Sequence, residues 1–170
     1  MSFMEIVFLN DGRIIRPCGI DDIEDVSEMV ITEAKRSIAS DFDEKRWEDF
    51  QEYVSFDQIL KRLVTGSKAL LVQEEDDRIS GYLEINNNQI VLLFITGYAQ
   101  KRHLATQLFK RVVMALSPNE LYVNASSQGY DFYCSHGFIP LDEWSEKEGV
   151  KYRPMKWENS DSTDENEFTK

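Results

Sequence analysis

Hydrophobic positions along this chain switch between strand-like and helix-like spacing several times. Apolar runs at Met4–Leu9 and Arg13–Arg16 flank Asn10-Asp11-Gly12, the residue types that turn a hairpin, and Pro17 ends the second run. Asp21 and Asp22 then offer caps to a helix whose Ile23, Val26, Val30 and Ala34 share one face. A second helical pattern runs from about residue 43 to 63 and stops at Gly66. Ser55 interrupts it, and Phe56, Ile59, Leu60 and Leu63 restart the period, so two helices are predicted. Three strands follow at Lys68–Gln73, Arg78–Ile85 and Gln89–Thr96, joined by short polar connections that predict an antiparallel meander.

The remainder alternates. A helix is predicted from about His103 to Leu116, before Pro118, then a short strand at Leu121–Asn124 and a short helix at Gly129–His136. Strands around Phe138 and over Lys151–Trp157 close the domain. The expected fold class is α+β, a mixed and mostly antiparallel sheet of about six to seven strands flanked by about four helices. No internal repeat appears, and one composition break does: from Glu158 the chain is acidic and nearly devoid of large apolar residues. Residues 1–157 are therefore expected to form one domain, and 158–170 a solvated acidic tail.

Composition narrows the choice of function. The chain has 170 residues, is 42% hydrophobic and 29% charged, and carries a net charge of −12. A field of that sign repels nucleic acid and anionic membrane surfaces, so neither is expected as a partner. No apolar run approaches the ~20 residues of a membrane span, and the N-terminus has no signal-peptide pattern. Cys18 and Cys134 have neither metal-ligand spacing nor partners for a disulfide framework. A cytoplasmic protein with reduced thiols and no metal is expected.

One stretch departs from the overall charge. Between Glu84 and Glu120 there is no acidic residue, and the gap contains Lys101, Arg102, Lys110 and Arg111. Lys101 and Arg102 fall between a predicted strand and a predicted helix, where unpaired amides and the helix dipole favour an anion. Strand, loop and basic helix start together suggest a phosphate cradle; a basic surface helix is the plainer account.

Three segments carry a family resemblance. Gln100-Lys-Arg-His-Leu-Ala105 resembles the pyrophosphate loop, Gln/Arg-x-x-Gly-x-Gly/Ala, of the GNAT superfamily of acyl-CoA-dependent N-acyltransferases. Val123-Asn-Ala-Ser126 resembles the end of that superfamily's fifth strand, and Phe132-Tyr-Cys-Ser-His-Gly-Phe138 its Phe-Tyr-x-x-x-Gly-Phe signature. With the order of elements, the resemblance covers about residues 13–157. His103 stands where the family has the loop's first glycine, and Gly97-Tyr-Ala replaces a common Pro-x-Tyr. Histidine still offers its amide, and its ring either adds a phosphate contact or weakens cofactor binding by bulk.

The resemblance implies an acetyl-CoA-dependent N-acetyltransferase. It implies main-chain contacts to the thioester arm from Leu93, Phe94 and Ile95, and amides of Lys101, Arg102, His103, Leu104, Ala105 and Thr106 around the pyrophosphate. Asn124 would meet the pantetheine arm, and Tyr133 would protonate the departing sulfur. Glu84 lies near where several members place a general base. Alternation sets Tyr82 and Glu84 on one face and Leu83 and Ile85 on the other, so Glu84 is solvated if only the latter face is covered. The expected acceptor is a small-molecule amine, a lysine or an N-terminal amine, with homodimerisation left open. Asp41, Asp43, Glu44, Glu48, Asp49 and Glu52, interleaved with Trp47, Phe50 and Tyr53, would suit a cationic acceptor. The plainer account of those residues is a solvated helix face over core aromatics. A GNAT-fold module that binds CoA or a metabolite without turnover is the alternative, distinguished by the absence of thiol release.

Overall fold

A computed structural model describes residues 3–100 and 103–160. The chain runs β1 (Val7–Phe8), β2 (Ile14–Pro17), α1 (Ile23–Ser37), α2 (Glu44–Tyr53), α3 (Phe56–Thr65), β3 (Lys68–Gln73), β4 (Ile79–Asn86) and β5 (Gln89–Ile95). It continues with α4 (Leu104–Leu116), β6 (Glu120–Ala125), α5 (Tyr130–Ser135), β7 (Ile139–Pro140) and β8 (Arg153–Glu158). The strands form one sheet in the order β1-β2-β3-β4-β5-β6-β8-β7, antiparallel everywhere except between β5 and β6. Eight strands and five α-helices exceed the expected numbers slightly, because β1 and β7 are two-residue edge strands and α5 is short.

Local signals set the helix boundaries. The Asp43 carboxylate accepts the Arg46 amide at 2.8 Å and starts α2, and the Ser55 hydroxyl accepts the Gln58 amide at 3.4 Å and starts α3. The interrupted pattern between residues 43 and 63 is therefore two helices, the second ending at Gly66 with φ +139°.

Helices cover both faces of the sheet. Leu70, Val72, Leu83 and Ile85 pack with Leu104, Leu108 and Val112 of α4 and with Tyr133 of α5. On the other face Leu71, Tyr82 and Leu92 pack with Ile23, Val26 and Val30 of α1 and Ile59 of α3. Burial on two sides explains why β3 to β5 read as nearly continuous apolar runs. It also overturns the expectation of a solvated Glu84, which is fully buried. At the C-terminus Glu158 pairs with Glu120 in β8, and the Asn159 amide donates to the Asn119 carbonyl at 2.8 Å. The described fold thus continues just past residue 157, and residues 161–170 of the expected tail lie outside the described residues. No helix among the described residues is long and apolar enough to cross a membrane.

The sheet has one weak seam. β5 and β6 pair only at Gln89–Tyr122 and Ile90–Val123. At the next residue β5 is bulged: Ile90 opposes Ile85 and Leu92 opposes Glu84, leaving Val91 without a partner. Beyond the bulge the two strands separate. Across the mouth of the split, residues 141–152 fold back onto the start of α2: Asp43 donates its amide to the Gly149 carbonyl at 2.9 Å, and Phe42 bridges Val150.

Gly149 has φ +79°, and a β-carbon there would sit 1.9 Å from Asp43 Oδ2. Gly149→Ala should lower the denaturation free energy by about 1–3 kcal/mol. A parental urea midpoint for that variant would contradict the docking of this strap.

Candidate active site

The split between β5 and β6 opens into a cleft of about 990 Å³. One wall is β5. The Thr96 amide donates to the Ser80 carbonyl at 2.9 Å, which sets the hydrogen-bonding phase of the strand. Leu92 and Phe94 therefore point their main chain at β4, whereas Leu93 and Ile95 turn theirs to the open edge. The Gln100 side-chain amide reaches the Ile95 carbonyl there, at 3.2 Å. Of the three expected main-chain contacts, Leu93 and the Ile95 amide face the cleft without a strand partner, and Phe94 contributes its ring, 6.2 Å from that of Phe50.

Beyond β5 the chain turns towards α4. Glu33, buried near the end of α1, accepts the Gly97 amide on Oε1 at 2.8 Å and is held on Oε2 by Arg36 at 2.9 Å. Lys101 and Arg102 lie outside the described residues. His103 adopts φ 56°, ψ 27°, a left-handed conformation, so the motif's usual glycine has a backbone reason at this position. Leu104 is buried, Ala105 lines the cleft, and the first turn of α4 has no acidic residue. The Thr106 hydroxyl lies 2.9 Å from His136 Nε2, whose Nδ1 is 2.8 Å from the Phe132 carbonyl. Donation from Nδ1 to that carbonyl leaves Nε2 to accept from Thr106, so His136 ties α4 to α5 instead of facing substrate. The basic cluster does not survive as a single surface patch: Arg111 is buried and ion-paired with Glu5.

The opposite wall comes from β6 and α5. Asn124 is exposed on β6 and lines the cleft. Ser126 Oγ accepts the Gly129 amide at 3.0 Å and shapes the turn into α5. Tyr133 is 7% exposed, its ring packs against Phe132 and Phe138, and it lines the cleft. No described residue hydrogen-bonds its hydroxyl. Burial pushes the phenol pKa up from its ordinary value, so the group stays protonated through neutral pH.

Glu84 does not reach this cleft. Arg62 Nε donates to its Oε2 at 2.7 Å and Arg62 Nη2 to its Oε1 at 3.2 Å, while the Tyr82 hydroxyl donates to Oε1 at 2.9 Å. The same guanidinium lies 3.8 Å over the ring of Tyr53, which lines the cleft. Glu84 thus sits behind Arg62 and Tyr53, with both carboxylate oxygens already bonded and no path to a group in the cleft. The α2 rim is mixed, not uniformly acidic: Asp49 lines the cleft but pairs with Lys45 and Arg46, while Glu44, Glu48 and Glu52 are exposed away from it. Sequence reasoning missed Glu33, Phe42 and the strap residues Val150 and Tyr152 as cleft residues. The strap reaches the site only through contacts distant in sequence, which no local pattern encodes. No cluster of metal-ligating side chains occurs among the described residues.

A family model described as acetyltransferase (GNAT) domain matches residues 38–159. This chain belongs to the GNAT family. Among solved structures it is similar to a GCN5-related N-acetyltransferase from Rhodopseudomonas palustris at 16% identity and TM-score 0.72, covering 92% of this chain and 99% of that one. PaiA N-acetyltransferase from Thermoplasma acidophilum, in complex with coenzyme A, gives 19% identity and TM-score 0.70, with 86% and 99% covered. The spermidine/spermine N-acetyltransferase SpeG from Vibrio cholerae gives 16% and 0.63, with 92% and 99% covered. No curated protein matches by sequence. At these identities the structures establish the GNAT fold.

Two stability measurements check the site as built. Arg62→Ala leaves Glu84 buried without its cation and should cost about 3–5 kcal/mol; a small loss would mean that Glu84 is solvated after all. At the loop, His103→Val should cost about 1–2 kcal/mol because a branched side chain resists left-handed backbone, while His103→Gly should cost nothing. Equal effects of the two substitutions would contradict the φ value.

Proposed function

We propose that this GNAT chain is an N-acetyltransferase that moves an acetyl group from acetyl-CoA directly to a primary amine in a ternary complex. The observation that carries the reading is the split sheet. A free strand edge at Leu93 and Ile95 faces a buried, protonated Tyr133 across a cleft large enough for an extended ligand. The cosubstrate supplies an acetyl group already activated as a thioester. The amides of its pantetheine arm suit the edge of β5, as an added strand would, with Asn124 opposite. Amides from Lys101 to Thr106 at the start of α4 suit its pyrophosphate, with Lys101 and Arg102 adding charge. The coenzyme A complex of the PaiA neighbour supports an acyl-CoA cosubstrate.

The amine nitrogen bonds to the carbonyl carbon, the carbon–sulfur bond breaks, and Tyr133 gives its proton to the departing sulfur. The proton released by the amine passes to water in the half-open cleft, from which the phenolate is reprotonated. Glu84 is sequestered and Glu33 and Asp49 are committed to ion pairs, so none of these three is assigned as base. For the acceptor we favour a small cationic amine. Glu33, Asp49 and Glu148 line the cleft beside the rings of Phe42, Phe50 and Tyr53, although Arg46 and Lys151 line it too. Likeness to the spermidine/spermine N-acetyltransferase SpeG makes polyamines the first amines to test. The cytoplasm, where acyl-CoA and reduced thiols coexist, suits the free Cys18 and Cys134.

Thiol release from acetyl-CoA, measured across polyamines and other primary amines, tests the activity. CoA bound without release over the whole panel would favour a binding module. With an accepted amine, Tyr133→Phe should cut kcat and kcat/KM equally, by about 10²–10⁴, with Tm and CoA affinity near parental. A stable variant with parental kcat would remove Tyr133 from the mechanism. Because burial raises the phenol pKa, kcat should rise with the neutral amine fraction and hold past about pH 10, where an exposed phenol would ionise. A fall in kcat at or below that pH would contradict the buried phenol.

A further inference from the structure

The two halves of the sheet separate after Ile90 and Val123, so the width of the cleft must be fixed by groups outside the sheet ladder. Asp41, in the short turn between α1 and α2, belongs to the half that carries β5, because α1 packs on β4 and β5. It is buried, at 7% exposure, and does not itself line the cleft. Its carboxylate crosses to the other half. Oδ2 accepts the Ser127 amide at 2.9 Å, and the Ser127 hydroxyl lies 2.7 Å from Oδ1 and 2.9 Å from Oδ2. Ser127 lies in the turn between β6 and α5, next to Ser126, Gln128 and Gly129, which do line the cleft and lead into the helix of Tyr133. The Asp41 carbonyl also accepts the Lys151 amide at 2.7 Å, which holds the strap leading into β8.

One buried residue therefore ties the α1–α2 turn to both segments that flank β6 and β8. Carboxylate acceptors with amide and hydroxyl donors make strong, directional hydrogen bonds, and this set spans the gap next to the isolated bridge of Phe42 to Val150, reaching the β6–α5 turn that the bridge does not touch. We propose that Asp41 is a positioning residue that sets the separation of the two cleft walls, holding the Tyr133 side at the spacing in which cosubstrate fits. The consequence for binding rests on the acetyl-CoA reading above; the spacing itself does not. Without the tie the walls sample wider separations, and only the fraction of molecules at the competent spacing binds well. Apparent affinity falls in proportion to that fraction.

The test has a ligand-free arm and a ligand arm. Nitroxides placed through Glu48→Cys on α2 and Asp131→Cys on α5, in a Cys18→Ser/Cys134→Ser background, report the distance across the split. Both labelled positions are exposed. The parent should give one narrow distribution, and Asp41→Ala a broader one extending to longer distances. Ser127→Ala, which removes only the hydroxyl, should broaden it less, and Asp41→Asn, which keeps one acceptor oxygen, should fall between parent and Asp41→Ala. Calorimetry with CoA should show Asp41→Ala weakened by about tenfold or more, with Asp41→Asn partly rescued. The Asp41→Ala/Ser127→Ala double variant should bind no worse than Asp41→Ala, because the two groups form one contact. A parental distance distribution in Asp41→Ala overturns the proposal even if Tm falls, as does a folded Asp41→Ala with parental CoA affinity. Should Asp41→Ala fail to fold, Ser127→Ala and Asp41→Asn decide by the same criteria. Absence of CoA binding by the parent would overturn the cosubstrate assignment instead, and the distances alone would then judge the tie.

Discussion

Two residue pairs hold β5 to β6, and everything functional in this molecule follows from how few they are. A parallel ladder that continued would bury the main chain of Leu93 and Ile95 against β6 and leave an ordinary α/β/α sandwich. The bulge at Val91 lies where the ladder stops, and beyond it every second residue, Leu93 and Ile95, turns its main chain to an edge that no strand pairs. Unpaired edge groups bordering apolar walls are costly unless water or a ligand meets them. The split therefore creates the cleft and a demand for something to fill it.

The rest of the structure makes that split tolerable. α4 and α1 pack across opposite faces of β4 and β5 and keep that half rigid. His136 joins α4 to α5 through Thr106, and Asp41 joins the α1–α2 turn to Ser127 and Lys151. Glu33 anchors the segment after β5 through the Gly97 amide. Charged groups that the sequence offered for chemistry are thus structural, Glu84 with Arg62 and Arg111 with Glu5, and Glu33, which the sequence did not single out, pairs with Arg36. Tyr133 is different: it lines the cleft, and its hydroxyl has no partner among the described residues.

Local chemistry made much of this fold legible in advance. Ser55 and Asp43 announced two helix starts, and Pro118 announced the end of α4, because caps and breakers act within a few residues. Gln100–Ala105 and Phe132–Phe138 were legible as family motifs, and the left-handed backbone of His103 shows why the first of them normally carries glycine. Alternation placed Glu84 on the correct face of β4 but could not say that α1 and α3 cover that face. Burial by a second helix layer is set by pairs far apart in sequence, such as Arg62 with Glu84. For the same reason Asp41 looked like one more acid in a charged stretch, and nothing in the sequence showed that the strap ahead of the last strand folds back onto α2.

The central claim is that ligand completes the open edge of β5, and amide hydrogen exchange reads that edge residue by residue. The amides of Leu93 and Ile95 should exchange readily in the free protein and become protected when acetyl-CoA is added. Those of Leu92 and Phe94, already paired with β4, should change little. Protection that appears equally at all four positions, or at none of them while the cosubstrate is demonstrably bound, would contradict the account.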